Sequence, residues 1–261
     1  MKSLIILLAI GLSGATTFAQ NNNKQTIVLV HGAWSDVSAW DAVTPLLEAK
    51  GFEVIAVSLP GHGKDSTPFK SINLQSYTDA VKNAIGEKKE VILVGHSMAG
   101  VVISQVAEEI PGSIKKLVYL AAYLPQNGQS LLDLAKTDAD SHVGKHLKID
   151  QETASAGIAN EGAVDIFVAD APANVQQKFA AGVQADPLAP FVTPVTLTNE
   201  NFGAIEKIYI YTTADHAVSY SLQQAMVKNT KVEKEYTLAS SHTPFISVPV
   251  KLADILIEEA K

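Results

Sequence analysis

From Thr26 onward, short apolar runs alternate with segments whose apolar residues recur at helical spacing. Six runs are of strand length: Thr26 to Val30, Glu53 to Val57, Glu90 to Val94, Lys116 to Ala122, Lys207 to Thr213 and Val232 to Leu238. As a set they are rich in Val, Ile and Leu without polar alternation, the pattern of strands covered on both faces. Between them, Ser38 reads as the cap of a helix running to Lys50 and closed by Gly51, and Asn73 to Ile85 as a helix ended by Gly86. Ala99 to Ile110 carries Val102, Ile103, Val106, Ala107 and Ile110 at helical spacing. This alternation predicts an α/β fold, a mainly parallel sheet flanked by helices, with sites at the carboxyl ends of the strands.

The alternation breaks once. After the strand ending Ala121-Ala122, residues 124–203 hold helical fragments, Gly and Pro interruptions and much alanine. An insertion of that size, placed between two sheet strands at the end where sites form, reads as a helical cap over the cleft. Leu131, Leu132, Leu134, Ile158, Ile166, Phe167, Phe179, Leu188 and Phe191 are its candidate core, with a few of them lining an apolar pocket.

The most informative stretch is Glu90 to Ser104. A buried strand turns into a helix across only Gly95-His96-Ser97-Met98, so the bend is sharp and must be flanked by small residues. Ser97 stands at its tip, the position of a nucleophile elbow, and the N–H of Met98 faces the helix N-terminus where negative charge is stabilised. The pattern G-x-S-x-G is met at Gly95 and Ser97, while Ala99 replaces the last glycine and Gly100 follows. Past the first strand, Gly32 permits a tight turn that aims the N–H of Ala33 into the same cleft. With Met98 it would form an oxyanion hole, while Trp40 reads as core.

Ala214-Asp215-His216 and Ser240-Ser241-His242 follow two later strands. Ser97, Asp215 and His242 thus each stand past the carboxyl end of a different strand, in the order Ser, Asp, His. A serine hydroxyl is a weak nucleophile at neutral pH; an imidazole can take its proton, and a carboxylate can fix the ring's tautomer and stabilise the imidazolium. His216, Asp133, Asp138 and His96 are poorer candidates, the first because neighbours on one strand end point apart. Leu59 to Ser66, with Pro60, Gly61 and Gly63, describes a fixed turn rather than a phosphate cradle, so His62 and Asp65 read as structural. His142 and His146, four apart with Asp138 and Asp140 nearby, read as solvated surface rather than a metal site, because Gly144 weakens the helix that would align them.

Composition narrows the setting. The chain has 261 residues, a formal charge of −7 and no Lys/Arg run, which argues against nucleic-acid binding. It has no cysteine, which excludes disulfides, thiolate catalysis and thiolate metal sites. Residues 1–19 combine Lys2, an apolar segment from Leu4 to Leu12 too short to span a bilayer, and Thr17-Phe18-Ala19 as a cleavage site. They read as a signal peptide, leaving 20–261 as a single secreted or periplasmic domain with no stable membrane anchor.

With these residues located, the chain resembles the α/β-hydrolases, and more narrowly the branch of small esterases that includes plant methylesterases, hydroxynitrile lyases and bacterial carboxylesterases. The resemblance is carried by Val28 to Trp34 with Trp40, Val94 to Gly100, Tyr123-Leu124-Pro125, Ile208 to Asp215 with Gln224 and Met226, and Ser241 to Pro244; in that pattern the cap follows the sixth-strand region. It implies Ser97 as nucleophile, His242 as base, Asp215 as its partner, and the N–H groups of Ala33 and Met98 as oxyanion hole. The lyases of the branch carry a threonine beside the oxyanion residue and a lysine after the catalytic histidine, where this chain has Gly32 and Thr243. The resulting expectation is a cofactor-free serine hydrolase of a small carboxylic ester with an apolar moiety. The alternatives are a non-catalytic ligand-binding relative, or lyase-type or other chemistry on the same residues.

Overall fold

Six strands form one parallel sheet: β1 (Thr26–Val30), β2 (Glu53–Val57), β3 (Val91–His96), β4 (Ile114–Leu120), β8 (Glu206–Thr212) and β9 (Lys234–Leu238), in the order β2-β1-β3-β4-β8-β9. The computed structural model describes residues 24–261, so the segment read as a signal peptide lies outside the described residues. Alternate residues of β1, β3, β4 and β8 enter opposite cores, whereas the edge strand β9 buries one face only, through Tyr236 and Leu238. Val28, Val30, Leu93 and Tyr119 pack on one face, and Ile27, Leu29, Ile92 and Val94 on the other. That two-sided burial is why these runs show no polar alternation.

The first face is covered by α2 (Leu74–Ile85), α3 (Ala99–Glu109) and α9 (Tyr220–Lys228), the second by α1 (Thr44–Glu48) and α11 (Pro249–Glu259), which α10 (Pro244–Ser247) precedes. Helix α2 opens with a reciprocal cap, in which Asn73 Oδ1 accepts from Ser76 N at 2.9 Å and Asn73 N donates to Ser76 Oγ at 3.3 Å. The helix expected from Ser38 to Lys50 is two pieces. A short 3-10 turn, Val37–Trp40, is capped by Asp36 rather than Ser38, and α1 starts afresh beside Pro45. Proline inside one continuous helix would lose a backbone hydrogen bond and clash with the preceding turn, whereas at a helix start it does neither. Trp40 is fully buried against Phe245.

Between β4 and β8 lies the insertion, carrying α4 (Leu131–Ala135), α5 (Val143–His146), β5 (Leu147–Asp150), β6 (Ser155–Ile158), α6 (Asn160–Phe167), α7 (Ala173–Gly182), β7 (Asp186–Pro187) and α8 (Ala189–Val192). Its three short strands form a separate antiparallel sheet, β5-β6-β7, within a segment read from sequence as helical. Strands of two to four residues are too short to show a period-two pattern. Ile158, Ile166 and Phe167 form the insertion's own core, while Leu131, Leu134 and Phe191 join the core beneath it. Among the described residues, no helix is long and apolar enough to cross a membrane.

Candidate active site

The bend after β3 is forced by close packing. Ser97 has φ +56°, a left-handed conformation that costs an L-residue about 1–2 kcal/mol and that surrounding contacts must over-determine. Its N–H donates to Leu120 O at 3.2 Å, and its carbonyl accepts from Tyr123 N at 3.1 Å and Gly100 N at 3.0 Å. A Cβ on Gly100 would sit 2.0 Å from Tyr123 O, and one on Gly95 would sit 2.8 Å from Ala99 O. The glycine this elbow requires is therefore Gly100, which explains why position 99 tolerates alanine.

The loop after β1 lies directly against this bend, since a Cβ on Gly32 would come within 2.8 Å of both Ser97 Cβ and His96 Nδ1. Among the described residues, neither Ala33 N–H nor Met98 N–H has a hydrogen-bond partner. The next residue, Trp34, also has positive φ, +58°, and is tied to the insertion twice. Its backbone N–H donates to the carboxylate of Asp186, and its indole N–H donates to Ala156 O at 3.0 Å.

Asp186 is fully buried and gathers further donors, Tyr77 Oη at 3.3 Å and His62 Nε2 at 3.0 Å. His62 Nδ1 lies 3.0 Å from Pro60 O, so both ring nitrogens meet acceptors, as suits an imidazolium. Burial alone would lower its pKa, but the hydrogen bond and negative charge of Asp186 outweigh that and raise it. His31, whose ring centroid is 4.8 Å away, does the opposite. It donates from Nδ1 to Gly32 O at 2.9 Å and accepts from Leu59 N at Nε2, and burial, then the neighbouring His62, lower its pKa to about 4.

Asp215 and His242 meet on the far side of the bend. Nδ1 of His242 is 2.8 Å from Asp215 Oδ2, which also accepts from Thr212 Oγ1 at 2.7 Å and Gln223 Nε2 at 3.3 Å. Asp215 Oδ1 accepts from the backbone N–H of Ala217 and Val218 at 2.8 and 2.9 Å. Five donors thus hold one buried carboxylate. His96, next to Ser97, donates from Nε2 to His242 O at 2.9 Å, and its ring lies 4.5 Å from that of His242. Burial, then the nearby His242, depress the pKa of His96 well below the ordinary range, so it stays neutral. These contacts seat His242 beside the elbow. Among the described residues no hydrogen bond joins Ser97 Oγ to His242, and neither atom that would make it is sealed from solvent.

The other sequence candidates are occupied elsewhere. Asp133 caps α4 with Ser130, Asp138 accepts from Ser219, and Asp65 accepts from Gly61 N and Thr67 N. His216 points away from His242, to Asp165. Sequence reading missed Asp186 and Gln223. Gln223 is fully buried on α9, yet nothing in the spacing separates it from its neighbour Gln224. Of the apolar residues proposed as pocket liners, Phe167 lies against the site, its ring 5.8 Å from His242 and 5.8 Å from Trp34. Phe179 and Phe191 extend the aromatic group at 5.7 Å from Phe167 and Trp34 respectively. A cleft of about 530 Å³ shares Trp34 and Phe179 with this group, but Asp36, Ser38, Asp41 and Lys178 also line it, and Ser97, Asp215 and His242 do not.

A strand-elbow-helix, a histidine on a buried carboxylate and two unpartnered N–H groups make up the candidate site on this sheet. The chain matches the sequence model of the Alpha/beta hydrolase family over residues 27–255 and belongs to that family. Within it, the chain is 33% identical over 249 residues to putative methylesterase 11, chloroplastic, of Arabidopsis thaliana, covering 90% of this chain and 63% of that protein. The chain therefore spans less than two thirds of that relative's length. It is 26% identical to the alpha-hydroxynitrile lyase of Arabidopsis thaliana, over 89% of this chain and 96% of the lyase. The solved structure of a pyrethroid hydrolase from Sphingobium faniae superposes with a TM-score of 0.78 at 26% identity, covering 90% of this chain and 97% of that one. These relatives fall in the branch that the motifs resemble.

Proposed function

We propose that the chain is a carboxylic ester hydrolase working through a serine-bound acyl-enzyme. The observation that carries the reading is the 2.8 Å contact between His242 Nδ1 and the buried Asp215 carboxylate, beside the bend that presents Ser97. Ser97 Oγ attacks the ester carbonyl carbon while His242 Nε2 takes its proton. Asp215 keeps Nδ1–H in place and stabilises the imidazolium. The N–H groups of Ala33 and Met98 receive the oxyanion; removing one such donor costs about 10²–10³ in rate. His242 then protonates the departing alkoxide, and water attacks the acyl-enzyme by the same relay to release the acid and restore Ser97.

The aromatic group of Trp34, Phe167, Phe179 and Phe191 favours an ester with an apolar acyl or alcohol part. Lyase chemistry is disfavoured because Thr243 is buried, its Oγ1 committed to Phe167 O at 2.8 Å, leaving no cation after His242. Turnover of p-nitrophenyl acetate and butyrate by wild type and Ser97→Ala tests the proposal. Loss of turnover and of fluorophosphonate labelling together in the variant supports it; equal rates refute it. We also propose that residues 1–19 direct export. A mature mass beginning at Gln20 in the periplasmic or culture fraction supports this, and an uncleaved cytosolic chain alone refutes it.

A further inference from the structure

The sequence places His142 and His146 together, but the fold separates them. His146 packs against Gly162, where an added Cβ would meet its ring at 2.2 Å. His142 instead meets His216, from the loop after β8, and Asp165, from α6. The two rings lie 4.4 Å apart, and a backbone hydrogen bond from His142 N to His216 O at 2.8 Å fixes their spacing. Both Nδ1 atoms face one carboxylate, His142 at 2.6 Å from Asp165 Oδ2 and His216 at 3.0 Å from Asp165 Oδ1. One donor atom from each of the three residues lies within 4.8 Å of the other two.

We propose that His142, Asp165 and His216 form a binding site for a borderline-soft divalent metal ion of the Zn²⁺ class. Two imidazole nitrogens and one carboxylate oxygen match the ligand types of such ions; an all-oxygen set would suit Mg²⁺ or Ca²⁺. Among the described residues Asp165 has no Lys or Arg partner, so no fixed cation competes for its charge. The three side chains are 31%, 48% and 38% exposed in chain order, which gives a hydrated ion access and lets it keep water in the remaining position. A neutral imidazole binds through Nδ1 by carrying its proton on Nε2 instead. Movement of the ligands by about an ångström brings them to the ~2.0–2.2 Å bond lengths of zinc.

Such an ion would join two insertion residues to the residue following Asp215, stapling the insertion to the loop that carries it. The site does not depend on the esterase reading. The test is Zn²⁺ titration of tag-free protein against a chromogenic chelator, with Co²⁺ as a spectroscopic probe. We expect one equivalent bound, a raised melting temperature and a four- or five-coordinate Co²⁺ spectrum. His142→Ala, His216→Ala and Asp165→Asn should each weaken binding at least tenfold, at or beyond the ~10–100-fold effect of losing an outer-shell partner. His146→Ala and Ser97→Ala should leave it unchanged. Asp165→Asn preserves shape and guards against misfolding, which circular dichroism checks in each variant. Absence of saturable binding by the wild type overturns the proposal, as does binding that survives His142→Ala or is lost equally in His146→Ala.

Discussion

Replacing Asp186 with alanine removes the carboxylate on which Trp34 N–H, Tyr77 Oη and His62 Nε2 converge. Breaking a buried ion pair by deleting one partner costs about 3–5 kcal/mol, and each buried donor left unsatisfied costs about 1–3 kcal/mol. These overlap, and relaxation of the exposed side of Trp34 recovers part, so the expected loss of stability is about 3–5 kcal/mol. Asp186→Asn keeps the shape and an acceptor for Trp34 but removes the charge, so about 1–2 kcal/mol is expected. The second effect is kinetic. Trp34 follows Ala33 directly, and its positive φ is held by the Asp186 and Ala156 contacts. Loosening it should displace the Ala33 N–H and lower kcat by about tenfold, a fraction of the 10²–10³ that loss of a whole oxyanion donor produces. KM should change little, because that donor acts mainly on charge developed in the transition state. Urea unfolding and p-nitrophenyl butyrate kinetics at a temperature where each variant is folded measure the two effects separately. A destabilised Asp186→Ala with unchanged kcat would show that the oxyanion loop is set without the insertion; a stability change under about 1 kcal/mol would refute the ion-pair argument.

Acid should weaken the fold before the carboxylates titrate. The folded pKa of His31 is lowered from 6.5 to about 4, so the unfolded chain takes up this proton first, and stability falls as pH drops from 6.5 toward 4, by about 3 kcal/mol for this group. His96 acts in the same direction, while raised His62 contributes stability that is complete below its ordinary pKa and lost as pH rises through its folded one. Urea unfolding from pH 7 to 4.5 checks this, and His31→Gln, able to make both ring hydrogen bonds, should flatten the slope. Gly100→Ala should cost about 3 kcal/mol or more, or abolish soluble expression, whereas Ala99→Gly should cost only about 1 kcal/mol. Soluble yield and unfolding midpoints compare the pair, and equal tolerance would contradict the 2.0 Å approach to Tyr123 O.

What could be read in advance follows from how local its cause is. Residues 26–30 and 53–57 form strands with the bounds read from sequence, the first fully buried on both faces and the second a half-buried edge strand whose Val-Ile-Ala-Val run is still apolar. The bend at Ser97 was legible because a strand and a helix separated by so few residues allow little else. The meeting of Asp215 with His242 followed from both standing past strand ends in a parallel sheet. Asp186 gave no such signal: its partners lie 152, 124 and 109 residues away, in a segment with no sustained period. The helix break before Pro45 was within reach, since proline's missing N–H carries a local rule. The pairing of His142 with His216 rather than His146 was not, because only the docking of the insertion on the sheet decides it.

That docking reaches each loop of the candidate site. Asp186 takes the N–H after Ala33, and Asp138 accepts from Ser219 N at 2.8 Å, past Asp215. Asp170 accepts from Ser241 N at 3.0 Å, one residue before His242, and Phe167 O accepts from Thr243 Oγ1, one residue after it. Lifting the insertion would exchange these ties for hydrogen bonds to water at a net cost of about 0.5–1.5 kcal/mol each, so together they oppose opening. If the insertion acts as a fixed brace, substrate should reach Ser97 by side-chain movement around Trp34, Phe167 and Phe179 rather than by lifting the insertion away. Chain-length selectivity should then respond to Phe179→Ala while global stability changes little, since Phe179 is only half-buried. Deleting the insertion's carboxylates should instead damage rate and stability together for every ester tested. An Asp170→Asn variant that altered only chain-length preference would show that the brace is a lid after all.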